Sequence, residues 1–233
     1  LTEVLKTDLS KEISFRKKIE QPVLESTFVE KLKQRRSIHV LGKKVHLSQT
    51  YLAELILEAV RACPSAFNSQ STRIVVLFND SHHQFWNIVQ DVQRKQMPAH
   101  IFEAEQLKIQ QCQNALGSVL FFEDQAVIRE LQKEKPLSAS DFPIWSEQTS
   151  GMAQFAVWAA LSETGLGACL QHYNPTIDHA VADYFSIDAH WKMRAQLVFG
   201  SIERPAEEKT EALLDDIFGY IAGRTNIALC AIA

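Results

Sequence analysis

Three stretches of the 233-residue chain carry residue types that can hold a charged or flat polar ligand. The first is QRRSIH, Gln34 to His39. Arg35 and Arg36 offer planar guanidinium forks, which suit phosphate through paired charge-assisted bonds, and Ser37 adds a hydroxyl. Taken alone, the same pair also fits a solvated basic helix end favoured by the helix dipole. The second stretch is PSAFNSQ, Pro64 to Gln70, which runs into the apolar RIVVLF. A plain helix-to-strand turn needs one or two turn residues, whereas Ser65, Asn68, Ser69, Gln70 and Ser71 crowd together here. The third is GLGACLQHYNP, residues 165–175, where two glycines admit either a close backbone approach to a ligand or a helix cap and strand entry.

Several other chemistries find no support. His82, His83, His100, His172, His179 and His190 fall at no familiar metal-site spacing. There is no G-x-S-x-G elbow, no G-x-G-x-x-G fingerprint and no P-loop. Cys63, Cys112, Cys169 and Cys230 form no C-x-x-C pair and read as reduced, mostly buried thiols, which points to a cytoplasmic protein. A formal charge of -4 gives no reason to expect nucleic acid or an anionic membrane as partner. The charged N-terminal stretch has no long apolar core, so neither a signal peptide nor a membrane span is expected there.

The elements that must position these stretches follow from periodicity. TFVEKLKQRRS reads as a short helix. Ser48 is a candidate N-cap for a second, in which Leu52, Leu55, Ile56, Ala59 and Val60 recur at helical spacing until Pro64. Arg73–Phe78 and Gly117–Phe122 are continuous apolar runs of buried-strand type, the second closed by Glu123 and Asp124. Helices are expected over SHHQFWNIVQDVQRK, FEAEQLKIQQCQ and residues 124–134, with LSASDFP as loop. WSEQTSGMAQFAVWAALSETGLG is apolar almost all round from Met152 to Leu161, which marks a helix buried on all sides, and Gly165 and Gly167 close it. ACLQHY and MRAQLVFG read as the third and fourth strands, IDHAVADYFSI as a helix, and the tail after Pro205 as another helix followed by an apolar end. No composition shift divides the chain. The expectation is one α+β domain over residues 25–212 with helices on both faces of a sheet, an arm at 1–24 and an extension at 213–233.

Taken in order, RRSIH, PSAFNSQSTR, GSVLFFED, FPIWSEQTSGMAQFAVWAAL, GLGACLQHYNPTID and WKMRAQLVFG resemble the nitroreductase family of FMN flavoproteins, and within it the short fatty-acid-repression-mutant branch. The likeness covers about residues 28–210. It implies a nitroreductase-like α+β fold, with a central mixed sheet wrapped by helices and an intertwined homodimer around a long buried helix. It also implies FMN at the dimer interface, NADH or NADPH as electron donor, and a small-molecule acceptor such as a nitro compound or quinone.

Residue by residue, the resemblance places Arg35, Arg36 and Ser37 at the FMN phosphate and ribityl chain. His39 stands where many relatives carry a lysine near the pyrimidine end. A lysine there is permanently charged and stabilises the anion of reduced flavin; a histidine does so in a pH-dependent way. Pro64, Ser65 and Ala66 would line the ring, and Asn68 and Gln70 would bond its edge or the ribityl hydroxyls. Leu170, Gln171 and His172 match the segment whose backbone faces the ring. Lys209 is the remaining phosphate cation, and Lys108 approaches the pyrimidine edge. No side chain is expected as a covalent catalyst, because the chemistry resides on the flavin. The implied activity is ping-pong transfer of hydride from NAD(P)H to the acceptor. The alternative is a flavin-binding regulatory or sensing protein with little turnover, for which the lipid-response name of the short branch speaks.

Overall fold

The computed structural model describes residues 27–208 together with the short strands at 218–221 and 227–230. The expected arm at 1–24 lies outside the described residues, as does Lys209. The order is α1 (Thr27–Gln34), β1 (Leu41–Gly42), α2 (Gln49–Arg61), β2 (Thr72–Phe78), α3 (Asn79–Gln96), α4 (Ala99–Gln113), β3 (Gly117–Asp124) and α5 (Gln125–Glu134). It continues with α6 (Phe142–Glu163), β4 (Gly167–Gln171), α7 (Asp178–Phe185), β5 (Trp191–Ile202), β6 (Phe218–Ile221) and β7 (Ile227–Cys230).

Five strands form the main sheet, in the order β1-β5-β3-β2, with β4 also paired to β5. Every ladder in it is antiparallel, and the parallel component is the single bridge between Ser37 and Ala168. β3 is the centre, and all eight of its residues are buried. Its alternate side chains serve two cores, as period-2 geometry requires. Leu120 and Phe122 pack with Phe85, Trp86 and Val89 of α3, Ile109 of α4 and Val181 of α7. Val119 and Phe121 pack on the opposite face with Leu52 and Ile56 of α2 and Val157 and Leu161 of α6. The expected layering, helices on both faces of one sheet, is therefore found. A register shift between Phe121 and Phe122 skips Arg194 on β5. It explains why Met193 joins the first core while Ala195 joins the second.

The local signals explain the element ends. The Ser48 hydroxyl accepts from the Tyr51 amide at 3.1 Å, capping α2 as expected. Gly165 takes φ +82 after α6, a conformation that favours glycine. Gly167 does not serve as a cap; it opens β4, where an added Cβ would lie 2.8 Å from Leu41 and 2.9 Å from Ile202. Residues 205–208 are not helical, and the rest of the helix expected after Pro205 lies outside the described residues; in the apolar end beyond it, β6 and β7 pair with each other. Within one subunit the central helix is buried on one side only. Ala153, Val157 and Leu161 of α6 are buried, but Met152 is 41% exposed, Phe155 43% and Ile144 57%. One subunit covers only one side of this apolar helix. No helix among the described residues is long and apolar enough to cross a membrane.

Candidate functional site

The turn between α1 and β1 presents the basic stretch. Arg35, Arg36, Ser37 and His39 line one wall of a cavity of about 330 Å³, closed on the other side by Arg204, Pro205 and Glu207 where the chain leaves β5. The Arg36 guanidinium donates to the Glu207 carbonyl at 2.6 Å, which ties the two walls together. Arg35 lies with its guanidinium carbon 4.4 Å from the centroid of the Trp158 ring on α6. Its Nε is buried and has no hydrogen-bond partner. A buried guanidinium N–H short of an acceptor marks a place prepared for one.

A second cavity, of about 530 Å³, adjoins the first through Ser37 and His39. β4 contributes Cys169, Leu170 and Gln171 to it, and α4 contributes Lys108, Gln111 and Cys112. His39 Nδ1 lies 3.4 Å from the Cys169 sulfur, which also accepts from Gln171 Nε2 at 3.1 Å. Burial pushes both thiols up, that of Cys112 to about 12, so neither is a ready nucleophile at neutral pH. Lys108 pairs with Glu105 at 3.1 Å, and Tyr173 donates to the other Glu105 oxygen at 2.6 Å. Burial pushes Glu105 up, but these two bonds outweigh it and hold the carboxyl below its usual range. The Lys108 ammonium is thus steadied beside the cavity.

The PSAFNSQ stretch lies elsewhere. Ser65, Asn68 and Gln70 line a third cavity, of about 450 Å³, with Thr72, Arg73 and Thr149. It shares no lining residue with the first two. Phe67, Asn68 and Gln70 all have positive φ, between 47° and 54°. Inside the loop, the Ser65 hydroxyl accepts from the Gln70 amide at 3.0 Å, and Gln70 Nε2 donates to Asn68 Oδ1 at 3.0 Å.

The expected site residues therefore fall into two groups. Arg35, Arg36, Ser37, His39, Lys108, Leu170 and Gln171 come together around the first two cavities. Ser65, Asn68 and Gln70 gather around the third, while Pro64, Ala66 and the exposed His172 line none of the three. Sequence reasoning missed Arg204, Gln111 and the two thiols. Arg204 lies two residues beyond β5 and was readable as a cation near that end; Gln111 and Cys112 sit on the helix α4 and carried no signal.

The comparisons with known proteins bear on the family and the fold. The model of the Nitroreductase family matches residues 32–201. The nitroreductase FRM2 of Saccharomyces cerevisiae is 38% identical over 148 residues, 63% of this chain and 72% of that protein. The nitroreductase CinD of Lactococcus lactis, solved with chloramphenicol and with 4-nitrophenol, is 45% identical and superposes with a TM-score of 0.77 in the first of these structures. That likeness covers 84% of this chain and 100% of that one. A protein of Desulfovibrio desulfuricans solved in complex with FMN shares the fold at 18% identity, with a TM-score of 0.64, over 85% of this chain and 99% of that one. The family match spans every element from the end of α1 to the end of β5, and with it most of the residues that build the three cavities: the chain belongs to the nitroreductase family.

Proposed function

We propose that the protein is an FMN-dependent oxidoreductase working as a homodimer. It takes hydride from NADH or NADPH and delivers it to nitro compounds, quinones or similar acceptors, donor and acceptor binding in turn. The observation that carries this reading is the Arg35 guanidinium. It is aromatic-stacked and buried at Nε without a partner, on the wall of a cavity that also holds Arg36, Ser37 and Arg204. Such a set suits a terminal phosphate, which accepts at several oxygens and carries the opposite charge. FMN, when bound, supplies the two-electron chemistry.

The chain's own residues supply binding, orientation and electrostatics. Arg35 and Arg36 hold the phosphate, and Ser37 offers a hydroxyl beside them. His39, Lys108 and Gln171 present polar groups along the adjoining cavity, where the pyrimidine end would lie. A cationic Lys108 favours negative charge developing there, with the His39 ring beside it. The Asn68 and Gln70 amides suit the edge of a flat polar ring. Within one chain they face a separate cavity, so we assign them to the site of a second subunit, which a symmetric pair permits. The half-exposed Met152 and Phe155 on α6, with Leu57 and Tyr51 on the neighbouring α2, form the apolar surface that such a pairing would cover.

The absorption spectrum of the purified protein, followed by anaerobic titration with each nicotinamide nucleotide and reoxidation by 4-nitrophenol, tests the reading. Flavin bands that bleach with nucleotide and return with the nitroaromatic are expected. Flavin that is bound but turns over negligibly would favour a sensing role, and a colourless protein that takes up no FMN would refute the proposal.

A further inference from the structure

The loop that offers Asn68 and Gln70 is held in a conformation that its sequence does not favour. Three of four consecutive positions, Phe67, Asn68 and Gln70, are non-glycine residues with positive φ. Backbone of this kind persists only where surrounding contacts over-determine it, and it concentrates at ligand sites. The contact that ends the loop is unusual. Glu123, at the end of the central strand β3, is fully buried. Its Oε2 accepts from the Ser71 hydroxyl at 2.5 Å and from the Ser146 hydroxyl of α6 at 2.7 Å, while its Oε1 accepts from the Thr72 hydroxyl at 2.6 Å. These are the lengths of hydroxyl-to-carboxylate bonds. The Ser71 carbonyl in turn accepts from the Asp124 amide at 2.9 Å. At the other end, the Phe67 ring sits 5.5 Å from Phe142 and 5.6 Å from Trp145, at the start of α6.

Resting on the flavin reading above, we propose that Glu123 is a positioning residue for the cofactor site. Its carboxylate clamps the last turn of the strained loop to α6 and so fixes the direction in which the Asn68 and Gln70 amides point. A carboxylate suits the task because it is acceptor-only and can take all three hydroxyls as donors at once. An amide keeps one accepting oxygen and sets two N–H donors against hydroxyls already committed as donors. α6 also carries Met152 and Phe155 on its exposed side, so the clamp ties the orientation of the loop to the helix that the proposed dimer would cover.

The test is Glu123→Gln in the full chain, compared with Val89→Ala, a core truncation on the other face of the sheet that lowers stability without approaching the loop. Two quantities are measured: hydrogen–deuterium exchange across residues 65–72 in the protein without ligand, and the FMN dissociation constant by fluorescence titration. Glu123→Gln should speed loop exchange and weaken FMN by about tenfold each, as loss of a buried charge-assisted network at a strained site predicts. Val89→Ala should leave both unchanged. Wild-type loop exchange and FMN affinity in Glu123→Gln overturn the proposal, as does an equal effect of Val89→Ala. Should Glu123→Gln fail to fold, Ser146→Ala removes only the link to α6; it should move both quantities in the same direction by about threefold, and no movement overturns the proposal. A wild-type protein that takes up no FMN would sink the flavin reading, while loop exchange would still decide the role of Glu123.

Discussion

The imidazole of His82 gives the protein a built-in sensitivity to acid whose size can be worked out. The residue is fully buried in α3. Trp86 Nε1 donates to the Ser118 hydroxyl at 3.1 Å, that oxygen lies 3.0 Å from His82 Nδ1, and His82 Nε2 lies 3.1 Å from the Cys112 carbonyl. A carbonyl only accepts, so Nε2 carries the proton and Ser118 donates to Nδ1. The neutral ring is satisfied on both sides, and a second proton has no acceptor waiting. Burial pushes the His82 pKa down from 6.5 to about 4; the Cys112 carbonyl opposes this, and the charges of His83 and Lys43 add to it. The folded protein therefore binds fewer protons than the unfolded chain between those two values. The stabilisation is fully present above pH 6.5 and drains away as pH falls toward 4, by about 2–3 kcal/mol between pH 7.5 and 4.5. Cys112 belongs to the stretch of α4 that lines the second cavity, so acid should loosen that wall as well. Urea unfolding of the wild type and His82→Gln at both pH values measures the effect, because glutamine can still donate to the Cys112 carbonyl but does not titrate. The wild type's advantage over the variant should shrink by that amount in acid. A difference that is the same at both pH values would refute the reasoning.

Further outcomes follow from the proposed site. Arg35→Ala should weaken FMN binding by about 2–4 kcal/mol, at least a tenfold loss, in fluorescence titration of the apo-protein; unchanged affinity would remove Arg35 from the phosphate site. His39→Lys should raise the flavin reduction potential at pH 8 by tens of millivolts, since one added charge in a partly screened site is worth about 1 kcal/mol; potentiometry of both proteins checks this. Light scattering should give about twice the 26.4 kDa chain mass. Phe155→Glu should halve that mass and lose FMN together with the dimer, and a monomer that still holds FMN tightly would sink the shared site.

Periodicity reveals most of the fold and little of its closure. The strands over 73–78, 117–122 and 193–200 and the helices of both layers were legible, because each presents a clear apolar face or run. One strand escaped. β1 is two residues long and is held by pairing with the end of β5, so it has no sequence period at all. The all-apolar surface of α6 announces burial on every side, more than one subunit can supply, and one subunit covers only the Ala153–Val157–Leu161 face. Hydrophobicity says that a surface must be covered; it does not say which chain covers it.

The site was legible in its parts and not in its supports. Arg35, Asn68, Gln70 and Gln171 belong to local stretches whose chemistry can be read in a few residues. What the sequence hides is the buried polar framework behind these stretches. GSVLFFED reads as an apolar run closed by two acids, and a polar residue after such a run normally means that the strand has ended at the surface. Instead β3 continues through Asp124, and both Ser118 and Glu123 are fully buried in it. Their partners lie far away in the chain: His82 for Ser118, and Ser71, Thr72 and Ser146 for Glu123. A buried polar group is tolerated only when such partners meet it, and their meeting is a property of the packed layers, not of any local pattern. The residues of the proposed site are therefore its readable half. The buried polar groups behind them, Glu123 behind the loop and His82 behind α4, become visible only once the two faces of the sheet have been assembled around them.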